Sequence, residues 1–388
     1  MSDSCSPSPS PRGQPVGAAV ERAGGPGTNT PLNERPTLPG PIDRVAKVAP
    51  ETTGETIRDR FGRVFDYLRI AVTDRCNLRC VYCMPEGGVD FAPHDRILRT
   101  NEVLRVIRVA SKLGVRKVRY TGGEPLARSD ILELVEGAVR TEGIETVHLT
   151  TNGVLLAALA KPLRKAGLHG VNISLDTLDP ERFRRCTRRA GLERVLAGLA
   201  EVLALGFPSV KVNVVAMRGF NDDEMSTFVE LTRDSTVTVR FIELMPFDAS
   251  QIWRTGRFLG MEKMLADFSE LYPHREVVDG SSTEHMTFRL PGFAGCVAFI
   301  PSYTRDFCGN CTRIRLTADG RIRNCLYSNE EFGILEHLRR GGTDDDISQT
   351  LKDAMWAKPV DGRAAQQQAR SNQGSDGLIR DSMAQIGG

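Results

Sequence analysis

From residue 63 onward, short β-branched runs alternate with longer stretches of helical periodicity. The runs are Tyr67–Val72, Lys117–Tyr120, Thr146–Leu149, Val171–Leu175, Val210–Ala216 and Val237–Leu244. Between them the spacing predicts helices around 101–113, 130–141, 155–166 and 222–234, and two more within 180–204. Thr100 or Asn101 can cap the first and Ser129 or Asp130 the second. Asn221 precedes an acidic first turn (Asp222, Asp223, Glu224) that suits a helix dipole. Six β–α alternations predict a parallel sheet with helices outside it. Six strands are fewer than the eight of a closed barrel, so the expected form is α/β, an open partial (β/α)6 TIM-like barrel over 56–245. Ligands of a parallel sheet sit at the carboxyl ends of its strands. The polar motifs fall at those ends: Asp74 to Cys83, Thr121-Gly122-Gly123-Glu124-Pro125, Thr150-Thr151-Asn152-Gly153, and Ser174 with Asp176.

Outside this stretch the pattern changes. Residues 1–55 are rich in Pro, Ser, Gly and Thr and are predicted to be disordered, because they cannot bury enough apolar surface to offset their ordering entropy. Residues 246–340 have shorter apolar runs and read as an α+β extension. Residues 341–388 read as a helix and a flexible tail ending in Gly387-Gly388.

The 388 residues include 51 cations and 49 anions, a net charge of +2, which argues against a broad nucleic-acid surface. Nine of the cations are Lys and 42 are Arg, so an anion site here leans on guanidinium forks. No Gly-Lys dipeptide exists, which excludes a Walker-type phosphate loop. No apolar run approaches a membrane span and the first thirty residues hold no signal-peptide core, so a cytoplasmic protein without a membrane partner is expected.

Of the nine cysteines, six form two tight groups, Cys76/Cys80/Cys83 and Cys308/Cys311/Cys325; Cys5, Cys186 and Cys296 stand alone. Clustered cysteines without an export signal read as metal ligands. Three thiolates within eight residues are one short of a closed zinc site, with His94 eleven residues on, but they suit a [4Fe–4S] cluster with one open iron. The second group is either the same kind of site or half of a zinc ribbon completed by Cys296 or a histidine. Between its cysteines, strand alternation puts Arg313 and Arg315 on one face. Arg69, Arg119, Lys211 and Arg240 each interrupt an apolar β run, where a charge is costly unless paired or liganded.

CNLRCVYC resembles the CxxxCxxC signature of the radical S-adenosylmethionine (SAM) enzymes. The longer pieces LRIAVTDRCNLRCVYCMP, RYTGGEPL, VNISLDTLD, RFIELMP and FCGNCTRIRLTADGRIRNCL, over about 58–340, resemble the GTP 3′,8-cyclases within that superfamily. The resemblance implies a radical SAM barrel with a C-terminal extension that carries a second [4Fe–4S] cluster. Cys76, Cys80 and Cys83 would hold the SAM-cleaving cluster; Cys308, Cys311 and Cys325 would hold the auxiliary one. Tyr82, Gly123, Glu124, Thr150, Ser174 and Met245 match SAM-contacting positions. Arg69, Arg119, Lys211, Arg240, Arg313 and Arg315 match positions that hold GTP. Strand parity sets Arg240 and Met245 on opposite faces, so both carry over only with a bend after Glu243. Gly387-Gly388 matches a tail that reaches the active site, although Met383-Ala384-Gln385-Ile386 departs from the usual small residues. The implied partners are GTP, a flavodoxin- or ferredoxin-like reductant and a downstream cyclic pyranopterin monophosphate synthase; a homodimer is compatible. A radical SAM peptide-modifying enzyme and a zinc-ribbon binding protein are the alternatives.

Overall fold

A computed structural model describes residues 55–85, 87–245, 255–279, 286–304, 308–371 and 382–387. The N-terminal segment expected to be disordered lies outside these apart from Glu55, and so does Gly388. All of the described residues belong to one unit, Thr52–Gly388.

Six β–α repeats follow the periodicity. The strands are β1 (Tyr67–Ala71), β2 (Lys117–Thr121), β3 (Thr146–Thr151), β4 (Gly170–Ser174), β5 (Ser209–Ala216) and β6 (Thr238–Glu243). The helices are α1 (Thr100–Lys112), α2 (Ile131–Val139), α3 (Leu156–Lys165), α4 (Pro180–Thr187), α5 (Leu192–Ala204) and α6 (Met225–Glu230). After them come α7 (Met261–Leu271), β7 (Glu276–Val278), β8 (Met286–Arg289), β9 (Cys296–Ile300), β10 (Arg313–Leu316), β11 (Arg321–Arg323) and β12 (Phe332–Gly333). Four helices close the chain: α8 (Leu335–Arg339), α9 (Asp344–Trp356), α10 (Gly362–Ser371) and α11 (Met383–Ile386).

The sheet is wider than the six-strand periodicity indicates. Its order is β12-β11-β10-β1-β2-β3-β4-β5-β6-β9-β8-β7, and it does not close on itself. Both β10 and β9 run parallel to their neighbours β1 and β6, so the extension adds a parallel strand to each side of the barrel. Their apolar stretches are only four and five residues long and their crossovers are irregular, so no β–α rhythm marks them. No described helix is long and apolar enough to cross a membrane.

Strand β5 shows how the barrel is built. Val210, Val212, Val214 and Ala216 are buried under the helices, while Ser209, Lys211, Asn213 and Val215 are half-buried on the inner face. The inner face is polar because it lines a cavity, so the two-residue period persists in a sheet covered on its outer side.

The expected caps do different work. Arg99 is the residue before α1, and its N–H donates to the Glu102 carboxylate at 2.8 Å. Asp130 does precede α2, but its carboxylate takes Arg128 at 2.6 and 2.9 Å, and Arg128 in turn reaches the carbonyls of Val72 and Leu98. Asn221 ties loops together: its amide donates to the carbonyls of Asp176 and Val215, and its oxygen accepts from Met217 N. At α1 the bond is a local capping box, whereas Asp130 and Asn221 are short polar side chains that bond to Arg128 and to neighbouring loops in place of a helix N-terminus.

Candidate active site

The cysteine groups lie at opposite ends of the barrel. Cys76, Cys80 and Cys83 follow the carboxyl end of β1. Cys308 and Cys311 precede the amino end of the parallel β10, and Cys325 follows β11, which returns antiparallel to that same end. The four steps of β1 between them cover about 13 Å at strand rise. All six thiols line one cavity of about 310 Å³.

The first loop is held by its backbone. Arg79 N donates to Thr187 O and Val81 N to Cys186 O, both at 2.9 Å, at the end of α4. Cys83 N and Met84 N both return to Cys80 O, which makes a tight turn. On the other side the loop presses on Gly122-Gly123. A Cβ at Gly122 would lie 2.2 Å from Thr73 O, and one at Gly123 2.1 Å from Arg75 O. Gly122 also has φ +140°, so a side chain is excluded twice over. The glycines thus admit the backbone of the cysteine loop as well as face the cavity.

Glu124 is fully buried and does not line the cavity. Its carboxylate accepts from Leu126 N (3.0 Å), Thr151 Oγ1 (2.7 Å) and Asn152 N (2.8 Å). Asn152 then donates to Asn77 Oδ1 at 2.7 Å and to Cys76 Sγ at 3.7 Å. Glu124 therefore acts on the loop through Asn152. Burial pushes its carboxyl up to about 7. A carboxyl whose folded pKa is raised adds stability that is complete below its unfolded value, about 4.5, and fades as pH rises to 7. For this group the loss is on the order of 3 kcal/mol. Glu124→Gln sets an amide N–H against Asn152 N–H. The variant should be less stable by about 1–3 kcal/mol at low pH, where Glu124 is protonated, with the deficit closing as pH rises past 7. Its urea midpoint should also fall less than wild type between pH 5 and 7, and an unchanged slope would refute the assignment.

Inside the barrel, register aligns Arg315, Arg69, Arg119 and His148 across β10, β1, β2 and β3. Arg69, Arg119, Arg240, Arg313 and Arg315 all line the cavity. The crowding shows in their electrostatics. Burial, then Arg313, pulls Arg315 down to about 10. Burial alone would raise the Tyr67 phenol, but Arg119, Arg69, Lys117 and Arg313 outweigh it and hold it at about 8. Burial with Arg119 and Lys117 pushes His148 down to about 2, so it is neutral. Arg119 Nε, Asn172 Oδ1 and Asn324 Oδ1 are buried on cavity-lining residues and have no hydrogen-bond partner among the described residues. Such a chamber suits a ligand with several negative charges and a polar head.

At the far end, Arg313 Nε donates to Cys311 Sγ at 3.4 Å. Burial would raise that thiol, but Arg313 and Lys358 outweigh it and hold it near 5. It is a thiolate at neutral pH, the form that ligates metal.

The C-terminal tail enters the same cavity, which Met383 and Ala384 help to line. Ser382 Oγ donates to Cys83 O at 2.8 Å, and Gly387 O accepts from Arg315 Nη1 at 3.2 Å. Gly387 has φ +68°, and a Cβ there would meet Ala71 Cβ at 3.0 Å and Thr121 Cγ2 at 3.2 Å. Gly387→Val should therefore undock the tail. Turnover should drop by at least about tenfold and thermal stability should fall as well, because Ser382, Ala384 and Ile386 of the docked tail are buried; full turnover would rule out a role for the docked tail.

Residues 70–232 match the radical SAM superfamily model, and residues 237–363 match the Molybdenum Cofactor Synthesis C model. The chain is 45% identical over 332 residues to the GTP 3′,8-cyclase of Chlorobaculum tepidum, covering 86% of this chain and 97% of that one. It is 43% identical to the human molybdenum cofactor biosynthesis protein 1 over 78% of this chain, which spans about half (48%) of that longer protein. The chain belongs to the GTP 3′,8-cyclase family. Among solved structures, SuiB of Streptococcus suis with its precursor peptide SuiA matches at a TM-score of 0.51 and 14% identity, over 78% of this chain and 66% of that one; this likeness shows the fold alone.

The GTP 3′,8-cyclase family uses SAM and two [4Fe–4S] clusters, the second in the C-terminal part. The residues present fit both clusters: each end of the cavity offers three half-buried thiols outside any disulfide, and no fourth cysteine lines it among the described residues. Tyr82, Gly123, Thr150, Ser174 and Met245 line the end near Cys76–Cys83. Strand β6 ends at Glu243, and the bend beyond it lets Arg240 and Met245 both reach the cavity. Lys211 shares the inner face of β5 with Asn213 but does not line the cavity itself. Sequence reasoning passed over Tyr67, Asn172, Asn213, Tyr327 and Lys358, which do line it. Asn213 Oδ1 accepts from Arg240 Nε at 2.8 Å and so aims that guanidinium. A signal existed for the asparagines, since Asn172 lies two residues before Ser174 and Asn213 two after Lys211.

Proposed function

We propose that the protein converts GTP into (8S)-3′,8-cyclo-7,8-dihydroguanosine 5′-triphosphate, with release of 5′-deoxyadenosine and methionine, as the first step of molybdenum cofactor synthesis. The supporting observation is the single cavity: two incomplete sets of thiols at its ends and a buried guanidinium row between them. When bound, the cluster on Cys76, Cys80 and Cys83 supplies the reductive cleavage of SAM that yields an adenosyl radical.

The chain's own residues do the rest. Gly123, Thr150, Ser174, Tyr82 and Met245 seat SAM at the carboxyl ends of the strands. Arg69, Arg119, Arg240 and Arg315 hold the triphosphate and ribose, and Lys211 adds its charge from one layer below. Arg313 stays beside Cys311, so it serves the far cluster and the guanine end of the nucleotide together. Holding GTP along the barrel axis sets its C3′ toward the SAM end and limits side reactions. No general acid or base is needed for hydrogen abstraction. A one-electron reductant feeds the reaction, and a cyclic pyranopterin monophosphate synthase in the same cytoplasm consumes the product.

The test is an anaerobic assay of cluster-reconstituted protein with SAM, reductant and GTP. Cyclised nucleotide and 5′-deoxyadenosine should appear together and only with GTP. Release of 5′-deoxyadenosine that ignores GTP, with no cyclised product, would overturn the substrate assignment.

A further inference from the structure

A short hairpin precedes β1. Phe65 N donates to Ile57 O at 3.0 Å and Asp59 N to Arg63 O at 3.2 Å, and Arg58 pairs with Val64 between them. Asp59 is buried within it. Its carboxylate accepts from Phe61 N (2.9 Å), Arg63 N (3.0 Å) and Arg63 Nε (2.5 Å). Pinned at Nε, the Arg63 guanidinium has its outer edge aimed at the far end of the chain. Nη1 donates to Cys308 O at 3.2 Å and to Val360 O at 2.8 Å, and Nη2 donates to Pro359 O at 2.8 Å. A planar guanidinium can serve three carbonyls in this way because its donors sit in a fixed fork.

These bonds close on the second thiol group. Pro359 and Val360 belong to a strap, residues 358–362, that joins α9 to α10. At its start Lys358 is buried, and its ammonium donates to Asn324 O, the carbonyl just before Cys325. At its end Gly362 opens α10, where first-turn N–H groups have no intrahelical acceptor. Asp361 takes the N–H groups of Arg363 and Ala364, each at 2.8 Å. The Gly362 N–H donates to the sulfur of Cys308. Cys308 O also accepts from Cys311 N at 3.2 Å, in the turn that brings those two thiols together. One strap therefore holds both Cys308 and the backbone beside Cys325, and Arg63 fastens that strap to Cys308.

We propose that Arg63 is a positioning residue for the auxiliary cluster: it clamps the 358–362 strap against the Cys308 turn and so sets where Cys308 and Cys325 present their sulfurs. The inference rests on the second thiol group holding a cluster, and not on GTP as the substrate. Arg63 acts through Cys308 O and through the strap. A bond that only fastened the hairpin to the body could end on any carbonyl. Here one carbonyl belongs to a cysteine of the group, and the other two lie within three residues of the N–H on that cysteine's sulfur. A cluster held by three thiolates has few protein bonds to resist its loss. Presetting the sulfurs therefore weighs heavily on how long it stays.

The test uses the reconstituted Cys80→Ala protein, full length, in which the auxiliary cluster is the one that remains. Anaerobic loss of its visible absorbance to excess EDTA gives the rate. Adding Arg63→Ala should speed that loss by about 10- to 100-fold, the usual effect of removing an outer-shell partner of a metal ligand. Arg63→Lys keeps the charge but lacks the fork, so its rate should fall between, at least about threefold above the parent. The control is Ile57→Ala, which opens a cavity in the same hairpin at a fully buried side chain. It should lower the melting temperature and leave the rate of loss within about twofold of the parent. Should Arg63→Ala fold poorly, Arg63→Lys against this control still decides. Loss at the parent's rate in the Arg63 variants overturns the proposal. So does an Ile57→Ala protein that loses its cluster as fast as Arg63→Ala, because a loosened hairpin would then suffice. Neither SAM nor GTP enters this readout, so a wild type that holds both clusters and forms no cyclised nucleotide would strike the functional assignment alone.

Discussion

Cys80→Ala should abolish the cyclised nucleotide and 5′-deoxyadenosine together, while the iron content falls from about eight to about four atoms per chain. The expectation is sharp because the loop does not depend on the thiol for its shape. The turn is made by Cys80 O accepting from Cys83 N and Met84 N, and the loop is latched by Arg79 N and Val81 N on α4. Alanine keeps all four bonds. Cys80 is half-exposed to the cavity, so loss of one sulfur leaves little void in the core, and thermal unfolding should shift only slightly. Cys308→Ala is the control with the opposite pattern. It should also lose cyclised product and about four irons, yet retain some cleavage of SAM, because the thiols at the carboxyl ends of the strands are untouched. If Cys80→Ala kept measurable turnover, the SAM-cleaving role of this loop would be wrong. If both variants behaved alike in SAM cleavage, the division of labour between the two ends would be wrong.

The parallel core was legible because its period is written in the residues. All six strands and six helices lie within a few residues of their expected positions, since β-branched runs and helical spacing state them locally. The flanking strands β9 and β10 were not legible as barrel strands. CVAFI and RIRL look like any short strand, and only the long-range pairings Thr238↔Cys296 and Tyr67↔Arg313 make them parallel members. That pairing is also what sets the second cysteine group at the far end of the barrel. Sequence reading gathered the unusual chemistry at the carboxyl ends of the strands, and a chain that re-enters the sheet from outside the β–α rhythm escapes that rule. Motif residues divide in the same way. The cysteines, Arg69, Arg119 and Ser174 stand out by type and position. Glu124 stands out as well, but only the fold shows that its carboxylate is enclosed by Leu126, Thr151 and Asn152.

Arg315→Met should separate binding from stability with opposite signs. Arg315 is buried between the Arg69 and Arg313 guanidiniums, with Arg323 nearby, and burial with Arg313 lowers its pKa from 12.5 to about 10. It remains charged at neutral pH, so the lowered value measures a cost that the empty barrel bears, on the order of 3 kcal/mol. A methionine of similar length removes that cost without leaving a large cavity. The nucleotide-free variant should therefore melt several degrees higher than wild type, even though the bond from Nη1 to Gly387 O is lost. Binding should move the other way. A charge-assisted bond to a phosphate is worth about 1.5–3 kcal/mol, so the KM for GTP should rise by about 10- to 100-fold. SAM affinity should be less affected, because the thiols whose charge acts on Arg315 are Cys311 and Cys325, not those of the first cysteine loop. Melting curves and a GTP titration on the same preparation check both halves. A variant that is less stable and binds GTP normally would show that Arg315 only supports the tail. One that is more stable with unchanged KM would show that the triphosphate lies elsewhere in the barrel, along Arg119 and Arg240.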